Sequence, residues 1–89
     1  MDADRTRTVV LYTREGCCLC DEVRTVLVRL HGRNPAAFAW QERDIDSDDQ
    51  LHLAYLERIP VLTIDGEEAF ELGVDESELE QRLGIVRAG

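Results

Sequence analysis

The segment REGCCLC, residues 14–20, holds all three cysteines of the chain within four consecutive positions. Cys17 and Cys20 have two residues between them, the C-x-x-C spacing at which thiols on the first turn of a helix exchange with a disulfide. The same cluster could offer thiolates to zinc or to an iron–sulfur cluster. A third reading is inert packing, since cysteine is often a buried, apolar residue. The elements that carry the cysteines discriminate among these.

The run TVVLY at residues 8–12 is apolar and β-branched, and predicts a buried strand that ends at residues 13–16. From Cys18 the pattern turns helical, with Leu19, Val23, Val26, Leu27 and Leu30 at three- and four-residue steps and His31-Gly32 as the expected stop. Cys17 therefore falls at a helix N-terminus and Cys20 one turn in. Free backbone N–H groups and the helix dipole favour a thiolate at Cys17, whereas Cys20 is placed to resolve a mixed disulfide. Lowering a thiol from about 8.5 to about 7 requires ~2 kcal/mol, and a helix end supplies ~0.3–1 kcal/mol. Arg14 is the cation that would add to this, and Glu15, Asp21 and Glu22 oppose it, so a moderate depression is expected. Cys18 reads as a neutral substitution at a permissive helix start; its alternative role is a modulator, as a second resolving thiol or a glutathionylation site. A disulfide between the neighbours Cys17 and Cys18 is not expected at rest.

Further along, Phe38 and Trp40 alternate with smaller residues and lead into ERDI, a second strand. Ser47 with Gln50 forms a capping box opening a short helix with Leu51, Ala54 and Tyr55 on one face, widened by Leu53 and Leu56. That helix must stop before Ile59, because Pro60 follows. In PVLTIDGEEAFEL, residues 60–72, two strand-like runs flank Asp65-Gly66, a hairpin signal. Asp75 with Glu78 caps a last helix that buries Leu79 and Leu83, with Val74 and Leu79 as a staple and Gly84 as the stop.

The predicted order is β-α-β-α-β-β-α: an α/β fold with a four-stranded mixed sheet and three helices packed on both faces, in one domain over 1–89. Phe38, Trp40, Leu62 and Phe70 are expected in the core, Tyr12 in the core rather than a groove, and His52 exposed without a role. Ile59-Pro60 begins the third strand, where an X-Pro bond can be cis. A cis bond there would turn the Ile59 N–H and C=O towards an extended substrate backbone.

Nineteen acidic against ten basic residues leave a formal net charge of −9. This excludes a nucleic-acid or anionic-membrane partner, both of which need clustered cations. The chain opens without a secretory signal and has no run near 18 apolar residues, so a cytoplasmic, monomeric protein is expected. There, an odd set of closely spaced cysteines argues for redox chemistry or metal binding over a disulfide framework. No metal is expected, since a structural zinc site needs four ligands, only His31 and His52 join the cysteines, and His31 lies at least three turns from Cys17.

With the cysteine helix and Ile59-Pro60 in place, the chain resembles the glutaredoxin branch of the thioredoxin superfamily, especially small bacterial glutaredoxin-like proteins. The matching stretches are VVLYTREGCCLCDE at 9–22, RDID at 43–46, RIPVLTIDG at 58–66 and ELGVDESELEQRL at 71–83. The resemblance implies a thioredoxin-like fold and a disulfide oxidoreductase that reduces protein or glutathione mixed disulfides. It aligns Cys17 with the nucleophile, Cys20 with the resolving cysteine, Arg14 with the basic residue ahead of it, and Pro60 with the cis proline. By the same likeness Ile59, Gly73 and Asp75 fall to substrate binding. No bound cofactor is implied, and glutathione enters as reductant or co-substrate, with disulfide-bearing proteins as the other partners. A metal or cluster carrier and a catalytically idle binding module are the competing readings from other classes.

Overall fold

The computed structural model describes residues 6–85. The first β-branched run forms β1 (Arg7–Thr13), whose alternate residues Val9, Leu11 and Thr13 are buried. Helix α1 (Cys18–Arg33) buries Cys20, Val23, Leu27 and Leu30, the stripe its three- and four-residue spacing dictates. Then follow β2 (Phe38–Asp44), α2 (Asp49–Tyr55), β3 (Val61–Ile64), β4 (Glu67–Glu71) and α3 (Glu76–Leu83), in the expected order.

The sheet runs β2-β1-β3-β4. Strand β2 lies parallel to β1, with α1 as the crossover, and β3 lies antiparallel on the other side, Val61 opposite Tyr12. The hairpin between β3 and β4 turns on Asp65 at φ 52° and Gly66 at φ 87°, the paired positive values a two-residue type I′ turn requires.

Val9, Leu11 and Leu62 pack with Val23, Leu27 and Leu30 of α1, Phe38 of β2, and Leu79 and Leu83 of α3 in one cluster. Trp40 and Phe70 are partly buried against it. On the opposite face the Tyr12 ring lies 4.7 Å from that of Tyr55 in α2, at 34°. Helices therefore cover both faces, but unequally. Helix α2 has no fully buried residue, and Leu53 is 85% exposed where an apolar face was expected to include it. Of its seven residues Leu51, His52 and Tyr55 are half-buried, and Tyr55 meets the sheet at Tyr12.

Two helix boundaries differ from the sequence reading. The cap of α2 is Asp48, whose Oδ1 accepts the N–H groups of Gln50 at 2.8 Å and Leu51 at 3.4 Å. Ser47 instead closes a 3₁₀ turn over Ile45–Ser47, its Oγ donating to the Asp44 carbonyl at 2.6 Å. Asp and Ser are about equally good N-caps, and with Ser47 engaged in the 3₁₀ turn Asp48 takes the position. Helix α1 also runs through His31 and Gly32 to Arg33 and is capped by Asn34, whose N–H reaches the Leu30 carbonyl at 3.0 Å. The His31 ring stands edge-on to Phe38 at 5.4 Å, which holds the last turn despite the glycine penalty of ~1 kcal/mol. Gly84, at φ 73°, ends α3 as expected.

Asp65 does more than turn the hairpin. Its Oδ1 accepts the Thr8 N–H at 2.9 Å and its Oδ2 accepts from Arg7 Nη1 at 2.9 Å, tying the start of β1 to the β3–β4 turn. The Thr8 N–H, and then the Arg7 guanidinium, hold this carboxyl below the ordinary carboxylate range. Because the folded value is depressed, the stabilisation is complete above the unfolded value of ~4 and is lost as pH falls through the folded value. Asparagine tolerates the same left-handed conformation. Asp65→Asn is therefore expected to be less stable than wild type at pH 7, with the gap narrowing below about pH 4, as urea unfolding across pH would show.

Candidate active site

The loop after β1 is closed by the Cys17 N–H donating to the Arg14 carbonyl at 3.2 Å, with Gly16 at φ 83°. That positive φ suits glycine. Cys17 follows as the N-cap of α1, and its Sγ accepts the Cys20 N–H at 3.1 Å. The sulfur thus occupies the place of a capping oxygen, where unpaired backbone N–H groups favour negative charge. Cys17 and Cys20 are joined at disulfide distance, their Cα atoms 5.2 Å apart, within the usual disulfide range. Cys17 is half-buried, Cys20 fully buried, and Cys18 an exposed free thiol.

The sheet brings a second segment to the same end. With Val61 opposite Tyr12, Pro60 comes level with Thr13, where β1 gives way to the cysteine loop. The Ile59–Pro60 peptide is cis. The Leu72 N–H donates to the Pro60 carbonyl at 2.9 Å and to the Arg58 carbonyl at 3.1 Å. Next in the chain, Gly73 (φ 147°) and Val74 border a groove with Leu19, Glu22, Val23 and Val26 of α1. The cysteine turn, Pro60 and residues 72–74 are therefore gathered at one end of the molecule.

The other anticipated residues are engaged within the fold, Asp75 as expected. The Ile59 N–H donates to the Tyr55 carbonyl at 3.0 Å, so the tail of α2 takes it and it does not face outward as expected. The Arg14 side chain turns to Asp46, its Nε donating to Oδ2 at 3.0 Å. Its charge is thus shared with a carboxylate. His52, expected to have no role, joins that pair with Nε2 3.5 Å from Asp46 Oδ1. Asp75 caps α3, Oδ1 accepting the Glu78 N–H at 3.1 Å. Asp75→Ala is expected to destabilise the fold by ~0.5–2 kcal/mol in chemical denaturation.

Arg24 and Arg58 are also bound to carboxylates. Arg24 holds Glu42 through Nη2 at 3.0 Å and also Asp21, and the Glu42 hydrogen bond leads in raising its pKa. Arg58 holds Glu68 and, at 3.0 Å, Glu71, and its guanidinium lies 5.4 Å from the Tyr55 ring centre. The hydrogen bond to Arg58 lowers the Glu68 pKa, while desolvation leads in raising that of Tyr55. The sequence reading missed the groove and Leu72, because contacts between residues 19–26 and 72–74 have no local signature. Among the described residues no group of three His, Cys, Asp or Glu side chains is gathered to hold a metal. No helix among them is long and apolar enough to cross a membrane.

A C-x-x-C pair capping the first helix of a β2-β1-β3-β4 sheet places the chain among thioredoxin-fold proteins, and solved structures agree. It is similar to protein Ne2328 from Nitrosomonas europaea, with 28% identity over 86% of this chain and 91% of that one and a TM-score of 0.72. Protein XcR50 from X. campestris is 32% identical over 85% of this chain and 95% of its own, with a TM-score of 0.68. A mutant thioredoxin from Halobacterium salinarum, 23% identical over 91% of this chain and 74% of its own, shares the fold at a TM-score of 0.65. The profile of the family Glutaredoxin-like domain (DUF836) matches residues 8–84, and the chain belongs to that family. No curated protein matches it. Fold and cysteine pair together point to redox function of the disulfide oxidoreductase kind.

Proposed function

We propose that the protein is a glutaredoxin-type thiol–disulfide oxidoreductase working through the Cys17/Cys20 dithiol. The observation that carries this reading is the asymmetry of the pair: a half-buried Cys17 sulfur at the N-cap of α1 and a fully buried Cys20 one turn in. An accessible thiolate attacks, and a sheltered thiol waits.

In the forward step the Cys17 thiolate attacks one sulfur of a partner disulfide. A Cys17–partner S–S bond forms as the partner's own S–S bond breaks, and the released thiolate takes a proton. Cys20, deprotonated, then attacks the Cys17 sulfur, forming the Cys17–Cys20 disulfide and releasing the second partner thiolate, which is also protonated. The dithiol loses two electrons and two protons, and the partner gains both. An external thiol reductant restores the pair, so the cycle needs no bound cofactor. The Ile59 carbonyl beside Pro60 is the backbone acceptor we assign to the substrate strand, and Gly73 the close-approach position at the groove. A cytoplasmic, monomeric protein, with its thiols kept reduced between turnovers, fits this cycle.

The test is a redox titration against dithiothreitol mixtures, with alkylation and peptide mapping at each potential. The proposal predicts one two-electron couple joining Cys17 to Cys20, with Cys18 alkylated throughout. Consumption of Cys18, or no disulfide at any potential, would contradict it.

A further inference from the structure

The chemistry of the surface around the cysteine pair bears on which disulfides its dithiol reduces. Arg14, three residues before Cys17, is paired with Asp46, Arg24 of α1 with Asp21 and Glu42, and Arg58, two residues before Pro60, with Glu68 and Glu71. Arg43, opposite Tyr12, lies on the α2 side of the sheet by strand alternation. In contrast Glu15, two residues before Cys17, and Glu22, on the groove wall, have no ion-pair partner among the described residues. An incoming anion meets uncompensated carboxylates here, within a chain of net charge −9.

The groove is otherwise apolar, walled by Leu19, Val23, Val26 and Val74, and encloses about 180 Å³. Small-molecule sites usually run to ~300–1,000 Å³, so this one matches a single side chain of a larger partner. Leu19 is 48% exposed and Leu72 54% exposed beside it. Leu72 stands at φ 64°, a left-handed conformation that a large apolar residue rarely adopts. A leucine held there and turned to solvent is poor for stability alone, and such outliers gather at binding sites. Apolar anchors within a charged rim are the usual anatomy of protein recognition.

We propose that the groove between α1 and residues 73–74 seats an apolar side chain of a disulfide-bearing partner protein whose flanking residues are basic, and that this surface disfavours oxidised glutathione. The inference rests on the Cys17/Cys20 redox reading above. Oxidised glutathione carries more carboxylates than ammonium groups and has no apolar side chain to fill the groove. A cationic segment meets Glu15 and Glu22 favourably, and the same field speeds its encounter.

The experiment is a single turnover of the reduced full-length protein with symmetric disulfides of the short peptides Leu-Cys-Arg, Leu-Cys-Glu and Ser-Cys-Arg. Oxidised glutathione and the neutral hydroxyethyl disulfide are run alongside, with Cys17–Cys20 oxidation read by quenched mass. At ~10 mM salt the Leu-Cys-Arg disulfide is expected to react about tenfold faster than Leu-Cys-Glu or oxidised glutathione, within the range of electrostatic steering. That gap should largely close near 1 M salt, where the screening length falls to ~3 Å. The advantage of Leu-Cys-Arg over Ser-Cys-Arg should survive the salt. Glu15→Gln with Glu22→Gln should reduce the charge preference about threefold or more. Oxidised glutathione reacting as fast as Leu-Cys-Arg at low salt, or a preference indifferent to salt and to both glutamates, overturns the inference while leaving the redox reading intact. Failure of hydroxyethyl disulfide to oxidise the pair defeats the redox reading, and the substrate inference falls with it.

Discussion

Replacing Cys17 by serine is expected to abolish disulfide turnover, lowering the rate by ~10³-fold or more, because a hydroxyl at the same N-cap is neither ionised at neutral pH nor able to form the mixed disulfide. The fold should survive, since serine is among the best N-cap residues and can accept the Cys20 N–H in place of Sγ. Circular dichroism and the unfolding midpoint of the variant should therefore match those of reduced wild type while its activity disappears. Cys20→Ser gives the complementary result. Its first step proceeds, and the protein accumulates as a Cys17–substrate adduct because no buried thiol completes the exchange. Turnover persisting in Cys17→Ser would mean that Cys18, exposed one residue away, is the attacking thiol.

The largest expected effect on stability comes from Leu27→Ala. Leu27 is fully buried in α1, in the cluster that joins this helix to β1, β2, β3 and α3, so truncation leaves a cavity where several elements meet. Such changes cost ~2–5 kcal/mol, against a total stability of ~5–15 kcal/mol for a small domain. Urea unfolding should show a markedly lower midpoint with an unchanged slope. Val28→Ala on the same helix is the control: Val28 is 57% exposed, and a change within ~0.5 kcal/mol is expected. Equal losses at the two positions would contradict the packing account, since alanine is the better helix former at both.

What the sequence revealed follows the range of the forces involved. The cysteine turn and the Asp65-Gly66 hairpin depend on consecutive residues, whose φ preferences and spacing are visible in the chain itself. The apolar stripe of α1 was equally legible, because burial and helical period coincide at Val23, Leu27 and Leu30. Helix ends were less so. Ser47 and Asp48 are adjacent candidates for one cap, and the choice turned on the 3₁₀ turn that claims Ser47.

The site's polar wiring was hidden for a different reason. Arg14 reaches Asp46, which lies 32 positions away, and only the parallel pairing of β1 with β2 brings them together. Whether the Ile59 N–H is free depended on how α2 unwinds towards it, and the left-handed Leu72 on its bonds to Arg58 and Pro60. None of these contacts leaves a mark in composition or periodicity.

That Cys17 attacks and Cys20 resolves is tested by the intact mass of fully reduced protein, acid-quenched at short times after mixing with a neutral symmetric disulfide, with peptide mapping of each species. The expected result is a transient adduct on Cys17 that gives way to a Cys17–Cys20 disulfide while Cys18 remains a free thiol. An adduct that forms first on Cys18 or Cys20, or the absence of both adduct and disulfide, would contradict it.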